Sequence, residues 1–146
     1  MWQQQYQVTI DAPPAAVWQV LTDLARYSEW NRYAISARGD LRPGGEVEIV
    51  VRLGSGQQRV DNRVTDLSSE QRLCWESLNW YRVLVYGVRC RFLEPGPDGS
   101  TVFREVETMH GLLAPVIKAF MATPMLDGLR RECESLKAEV ERRQHQ

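Results

Sequence analysis

The sequence predicts an α+β fold: a curved antiparallel sheet of about seven strands, counting the N-terminal one, around a long C-terminal helix, with two short helices after strand one. Three observations carry this. An alternating strand stops early at a pair of prolines. Strand-like runs then follow one another at short intervals, joined by Gly, Pro and Ser turns. The rest of the chain repeats apolar residues at three- and four-residue spacing.

The elements follow in order. Tyr6, Val8 and Ile10 alternate with polar residues, the pattern of a strand with one buried face. Pro13 forces Ala12 into an extended conformation and ends that strand. Pro14 opens a helix, since its missing N–H would be unpaired in the first turn anyway. Val17, Leu21 and Leu24 share one helical face, and Thr22 or Asp23 caps a second short helix running to about Trp30. Residues 33–40 lead to the breaker Arg42-Pro-Gly-Gly45. Glu46 to Leu53 places Val47, Ile49, Val51 and Leu53 on one face, and Gly54-Ser-Gly56 turns it. Val60–Leu67 and Arg72–Ser77 are further strands. A long strand, Val83–Glu94, reaches the hairpin loop Pro95-Gly-Pro-Asp-Gly99, and Thr101–His110 pairs back against it. After Gly111, the residues Ile117, Met121, Met125, Leu129, Cys133, Leu136 and Val140 form the apolar stripe of a long helix. Pro124 falls inside it. The preferred reading is a separate lead-in at 113–122, with Thr123 capping and Pro124 starting the main helix.

With 146 residues, the chain fits one domain, 1–146, large enough to enclose a modest cavity. A net charge of −1 gives no global field to draw it to nucleic acid or anionic lipid, and 43% hydrophobic residues is ordinary for a globule. No apolar run is long enough for stable membrane insertion. Met1-Trp-Gln-Gln-Gln-Tyr6 has neither a basic head nor an apolar signal core, so the chain reads as cytoplasmic. Cys74, Cys90 and Cys133 read as three separate thiols behaving as small hydrophobes. With only His110 and His145 beside them they form no zinc pattern, and no metal or other cofactor is expected.

The pattern Ile10-x-Ala12-Pro13-x-x-x-Val17-Trp18, then Leu21-x-Asp23 and Tyr27-x-x-Trp30-Asn31, resembles the START-like, birch-allergen-like superfamily (SRPBCC), in its polyketide cyclase/dehydrase-type branch. Gly39-Asp40-Leu41, Leu73-x-Trp75, Leu93-Glu94-Pro95, Gly99-Ser-Thr101 and Gly111-Leu-Leu-x-Pro115 continue the likeness over nearly the whole chain. The resemblance implies a helix-grip fold with a hydrophobic cavity between sheet and C-terminal helix. It implies that the two short helices close one end and that Tyr27 and Trp30 sit near the entrance. It further implies binding of lipids, quinones or polyketides, with cyclase or dehydratase activity in some members.

Matching to that family points Val47, Ile49, Val51, Val60, Leu73 and Trp75 into the cavity, with Ile117, Met121, Met125 and Leu129 from the helix. Tyr33 offers a hydroxyl to a ligand, as does Tyr86; His110 reads as a surface or cap residue. The last hairpin is ambiguous. Family parity turns Arg89, Arg91 and Leu93 inward beside Phe103, Glu105, Glu107 and Met109. Hydrophobicity alone instead buries Leu84, Tyr86, Val88, Cys90 and Phe92 with Val102 and Val106. The second choice leaves the charges as an exposed ladder and is the less demanding. A bulge at Gly87 would reconcile the two. Under family parity Arg89 or Arg91 could stabilise an oxyanion and Glu105 or Glu107 act as a general base. No nucleophilic Ser or Cys stands beside a base. Three functions therefore compete: binding of a small hydrophobic molecule, a cyclase/dehydratase-type reaction, and a homodimer formed through an exposed aliphatic outer face.

Overall fold

The computed structural model describes all residues, Met1–Gln146. One seven-stranded antiparallel sheet runs in the spatial order β1-β7-β6-β5-β4-β3-β2. Its strands are β1 (Trp2–Ile10), β2 (Ala34–Gly39), β3 (Glu46–Leu53), β4 (Gly56–Ser68), β5 (Arg72–Ser77), β6 (Tyr86–Pro95) and β7 (Thr101–His110). Helices α1 (Pro14–Thr22) and α2 (Tyr27–Trp30), joined by a short 3₁₀ turn, link β1 to β2, and α3 (Ala114–Gln144) closes the concave face. This is the helix-grip architecture. Register shifts at Ala34/Ser36 in β2 and Val64/Asp66 in β4 mark bulges that increase strand bend and twist.

α3 is one continuous helix, so the expected break at 123–124 does not occur. Pro124 deprives only the Phe120 carbonyl of its helical donor, and Phe120 lies on the solvent side, where water can serve instead. β1 stitches the helix to the sheet edge. Trp2 Nε1 donates to the Ala114 carbonyl at 2.7 Å, Gln4 Nε2 to Ala122 at 2.8 Å, and the Tyr6 hydroxyl to Glu134 Oε1 at 3.0 Å.

The two halves of α3 meet different surroundings. Cys133, Leu136 and Val140 join the main core with Ile10, Val17, Leu21, Leu73, Leu93 and Phe103. The N-terminal half has only a small cluster of Ala114, Met125 and Met109, with Ile117 and Met121 packed at its margin. Sequestering apolar area contributes roughly 25 cal/mol per Å², so the C-terminal half is the anchored one.

Three expectations on strands and cysteines need correction. β6 begins at Tyr86, not Val83, because residues 81–85 turn back on themselves, with Leu84 and Val85 N–H groups both donating to the Tyr81 carbonyl. Gly87 carries no bulge: β6 and β7 stay in unbroken register from Tyr86↔His110 to Pro95↔Thr101. Cys74 and Cys90 are not free thiols. They face each other across β5 and β6 on the convex side and form a disulfide, leaving Cys133 as a buried free thiol.

Candidate functional site

The parity of the last hairpin follows the charges inward. Arg89, Arg91, Glu105 and Met109 are buried, and Glu107 keeps only 13% of its side-chain surface. The aliphatic alternative (Val88, Phe92, Val102, Val106) lies on the convex face and is half-buried, with Arg104 stacked on the Phe92 ring at 4.5 Å. Hydrophobicity picked the wrong face because each inward charge has a partner directly opposite. Arg89 pairs with Glu107 and Arg91 with Glu105 in the cross-strand register.

Those two rungs have different fates. Arg91 Nε donates to Glu105 Oε1 at 3.1 Å, and its Nη2 donates to Glu132 Oε1 of α3 at 2.9 Å; all three side chains are inaccessible to solvent. The guanidinium lies 4.0 Å over the Trp75 ring. Asn31, at the end of α2, completes the cluster. Its Oδ1 accepts the N–H groups of Tyr33 and Ala34 at 2.9 and 2.8 Å, and its Nδ2 donates to Glu132 Oε2 at 3.1 Å. Burial pushes the Glu105 carboxyl well above the usual carboxylate range, and neighbouring Glu132 adds to the rise. Burial opposes the charge on Glu132 too, but Arg91 and the hydrogen bond from Glu105 hold it down to about 2. The environment thus favours a proton on Glu105 over one on Glu132, and with that proton in place Arg91 and Glu132 balance each other.

The upper rung borders a cavity of about 290 Å³ between the sheet and the N-terminal half of α3. Tyr33, Ile49, Val51, Val60, Trp75, Met109, Ile117, Met121 and Met125 line it, as do Arg89 and Glu107. Arg89 Nε donates to Glu107 Oε2 at 2.8 Å, and Nη2 donates to the same oxygen and to the Tyr33 hydroxyl at 3.2 Å. Glu107 Oε1 is left outside this pair and faces the space beside Gly87, where a Cβ would come within 3.6 Å of it. Arg89 Nη1 is buried without a partner. The Arg89 guanidinium packs 4.5 Å over the Tyr33 ring, and burial pushes the Tyr33 phenol up to about 12, so its hydroxyl stays neutral as it accepts from Arg89. Tyr33 is wedged against α3 at Gly128, where a Cβ would come within 2.5 Å of the ring.

The other expected site residues fall outside the lining. Val47, Leu73 and Leu129 are buried core, and Arg91 and Glu105 lie in the sealed cluster. Trp30 packs edge-on to Tyr27 at 5.0 Å, inside the main core. Tyr27 itself is buried, its hydroxyl donating to the Leu21 carbonyl. Neither ring is at an entrance. The exposed lining residues are Gln58 and Tyr81, so the opening lies among the β3–β4 hairpin, the β5–β6 loop and the start of α3. Glu132 and the loop residues Asn79, Tyr81 and Val85 escaped the sequence reading. For Glu132 the signal was present: position 132 is three residues after Leu129 and four before Leu136, on the buried stripe. His110 stacks on Tyr86 with ring centroids 4.8 Å apart.

A sheet gripping a helix around a mostly apolar cavity, with the Arg89–Glu107 pair and the polar side chains of Gln58, Asn62, Ser77 and Asn79 on its wall, defines a small-molecule-cavity class of α+β protein. The comparisons agree. The family model described as "Polyketide cyclase / dehydrase and lipid transport" matches residues 1–141, and the chain belongs to that family. No match is found among curated proteins. A solved structure from Nitrosomonas europaea is similar at TM-score 0.78 with 16% identity, covering 99% of this chain and 97% of that one. The Zhui aromatase/cyclase from a Streptomyces species is similar at TM-score 0.77 and 15% identity, covering 97% and 94%. The di-domain aromatase/cyclase BexL matches at TM-score 0.77 and 15% identity over 97% of this chain and 47% of that one. At such identities the likeness is one of fold. No helix is long and apolar enough to cross a membrane.

Proposed function

We propose that this protein binds a small, uncharged, largely hydrophobic molecule bearing a carbonyl or hydroxyl oxygen. The carrying observation is the cavity of about 290 Å³ with a charge-balanced polar wall. Its volume is about twice that of a cavity of about 150 Å³ that accepts benzene, which suits roughly two fused rings or an equivalent chain. Arg89 and Glu107 already neutralise one another, and the cluster beneath them is balanced as well with the proton on Glu105. A carboxylate guest would therefore enter as an uncompensated charge in a low-dielectric site, which is costly. A neutral oxygen brings no such charge and can lie against the Arg89–Glu107 pair without that cost.

Isothermal titration with a matched pair, acetylnaphthalene and naphthoate, tests this. Binding of the ketone, with the acid at least about tenfold weaker, is expected. Equal or stronger binding of the acid removes the charge argument, and no binding of either removes the cavity reading. Native mass spectrometry of the purified protein should show a co-purifying neutral species.

The same wall supports a second reading, a cyclase/dehydratase-type reaction, narrowed to Arg89 and Glu107 because Arg91 and Glu105 do not reach the cavity. Its motive is the unshared Glu107 Oε1, placed to accept a proton while Arg89 stabilises the resulting enolate. Loss of turnover of a poly-β-ketone in Glu107→Ala, with binding retained, is the expected result. Turnover unaffected by that change sinks the reading.

A further inference from the structure

We infer that the rim of the cavity is a membrane-docking surface that seats on a lipid bilayer, favouring one with anionic headgroups. With the exception of Met1, every exposed large hydrophobic side chain of the protein lies in two segments, 80–84 and 112–126. Trp80 is 93% exposed, Phe120 78%, Val83 75% and Leu112 74%. The segments are tied together. The Leu112 and Leu113 N–H groups donate to the Val83 and Leu84 carbonyls at 3.1 and 2.7 Å. Gly111, at φ +109°, allows this approach, since a Cβ there would come within 2.4 Å of the Leu84 carbonyl oxygen. The same segments supply Tyr81, Ile117, Met121 and Met125 to the cavity lining, and the adjoining Val85 joins them, so the patch borders its mouth.

Charge selects the occupant. Residues 78–86 and 108–126 contain no aspartate or glutamate, although the chain has 19 acidic residues. They contain Arg82, which bridges Glu76 at 3.3 Å, and the exposed Lys118. An apolar, aromatic patch also suits the core of a protein interface, but this one rings the mouth of an apolar cavity, which a bilayer can feed directly. A bilayer requires only apolar depth, aromatic rings at headgroup level and basic residues around them. The Trp80–Tyr81 pair, edge-on at 5.4 Å, and Lys118 meet those demands. A hydrophobic guest could then pass between bilayer and cavity without crossing water. Docking is independent of any guest, so its failure leaves the cavity reading standing.

Co-sedimentation of the full chain, without added ligand, with phosphatidylcholine vesicles and with vesicles partly replaced by phosphatidylglycerol tests the inference. The protein should pellet with the mixed vesicles. Trp80→Ser combined with Phe120→Ser should weaken that binding by at least about tenfold while leaving the thermal melt unchanged, both residues being exposed. Lys118→Glu should weaken binding to the anionic vesicles only. Protein that stays in the supernatant with both vesicle types, or a double variant that pellets like wild type, overturns the inference. So does sedimentation velocity showing a dimer that the double variant dissolves, because a second copy would then be the occupant.

Discussion

Two rungs of one hairpin, Arg89–Glu107 and Arg91–Glu105, start from the same chemistry and end in different places. They sit one inward position apart on the same pair of strands, each an arginine opposite a glutamate. The lower rung meets Glu132 and Asn31 and becomes a sealed, dry connection between sheet and helix. The upper rung meets Tyr33, which is backed by Gly128 of α3, and borders the cavity that Met121 and Met125 help to line. What separates anchor from binding wall is therefore the helix residue opposite, not the strand residues themselves. The same partition runs along α3, whose C-terminal half packs as core while its N-terminal half roofs a void.

The largest effect is expected from Arg91→Met. It leaves Glu132 and Glu105 facing each other without a cation, and breaking such a cluster costs about 3–5 kcal/mol in chemical denaturation. Replacing Arg91, Glu105 and Glu132 together by apolar residues of similar size should recover most of that loss and leave ketone binding intact. If binding vanishes although the fold survives, the lower rung is not merely an anchor and the contrast between rungs fails.

Next comes pH. Glu132, held at about 2, stabilises the fold above the usual carboxylate range and loses that contribution as pH falls toward 2. Glu105 acts in the opposite sense. Its folded pKa is raised, so the folded state keeps a proton that the unfolded chain releases, and stability declines as pH climbs above the usual carboxylate range. One retained proton gives a slope of about 1.4 kcal/mol per pH unit. Glu105→Gln, which mimics the protonated form, should flatten that decline in a series of thermal melts. An unchanged slope would place the proton elsewhere.

Gly128→Ala should cost about 1–3 kcal/mol by overpacking against Tyr33, and should weaken ketone binding because the ring has only the cavity to move into. A variant with wild-type stability would show that Tyr33 is not wedged. The sharpest change in selectivity is expected from Glu107→Gln, which also costs stability because it breaks a buried pair. It leaves Arg89 uncompensated and should reverse the preference in titration from acetylnaphthalene to naphthoate, by about tenfold. Loss of both affinities together would instead point to a packing role for Glu107.

Much of the framework was legible from local chemistry. Arg72–Ser77 and Thr101–His110 stand as strands with the bounds that turn residues and alternation assign them, and Pro14 opens α1 as its missing donor requires. The inner face of β3 was readable because Val47, Ile49 and Val51 alternate with polar residues. β6 and β7 were not readable from hydrophobicity, because their inner positions hold charges whose cost is cancelled only by partners on another strand and on α3. Pairing of that kind is a tertiary fact. Cys74 and Cys90 were misread for a similar reason: sixteen residues apart in sequence, they become neighbours only once β5 and β6 register. The entrance was misplaced because Tyr27 and Trp30 look like rim aromatics, yet Asn31 draws their helix down onto Glu132.

Pro124 sits between the packed and the roofing parts of α3, and this gives the helix uneven cohesion. Amides before it belong to a stretch with few core neighbours and one interrupted hydrogen bond, so hydrogen–deuterium exchange should run faster across 114–123 than across 125–144. Fraying confined to that first stretch would let a guest come and go by local breathing, while the remaining turns keep the sheet folded.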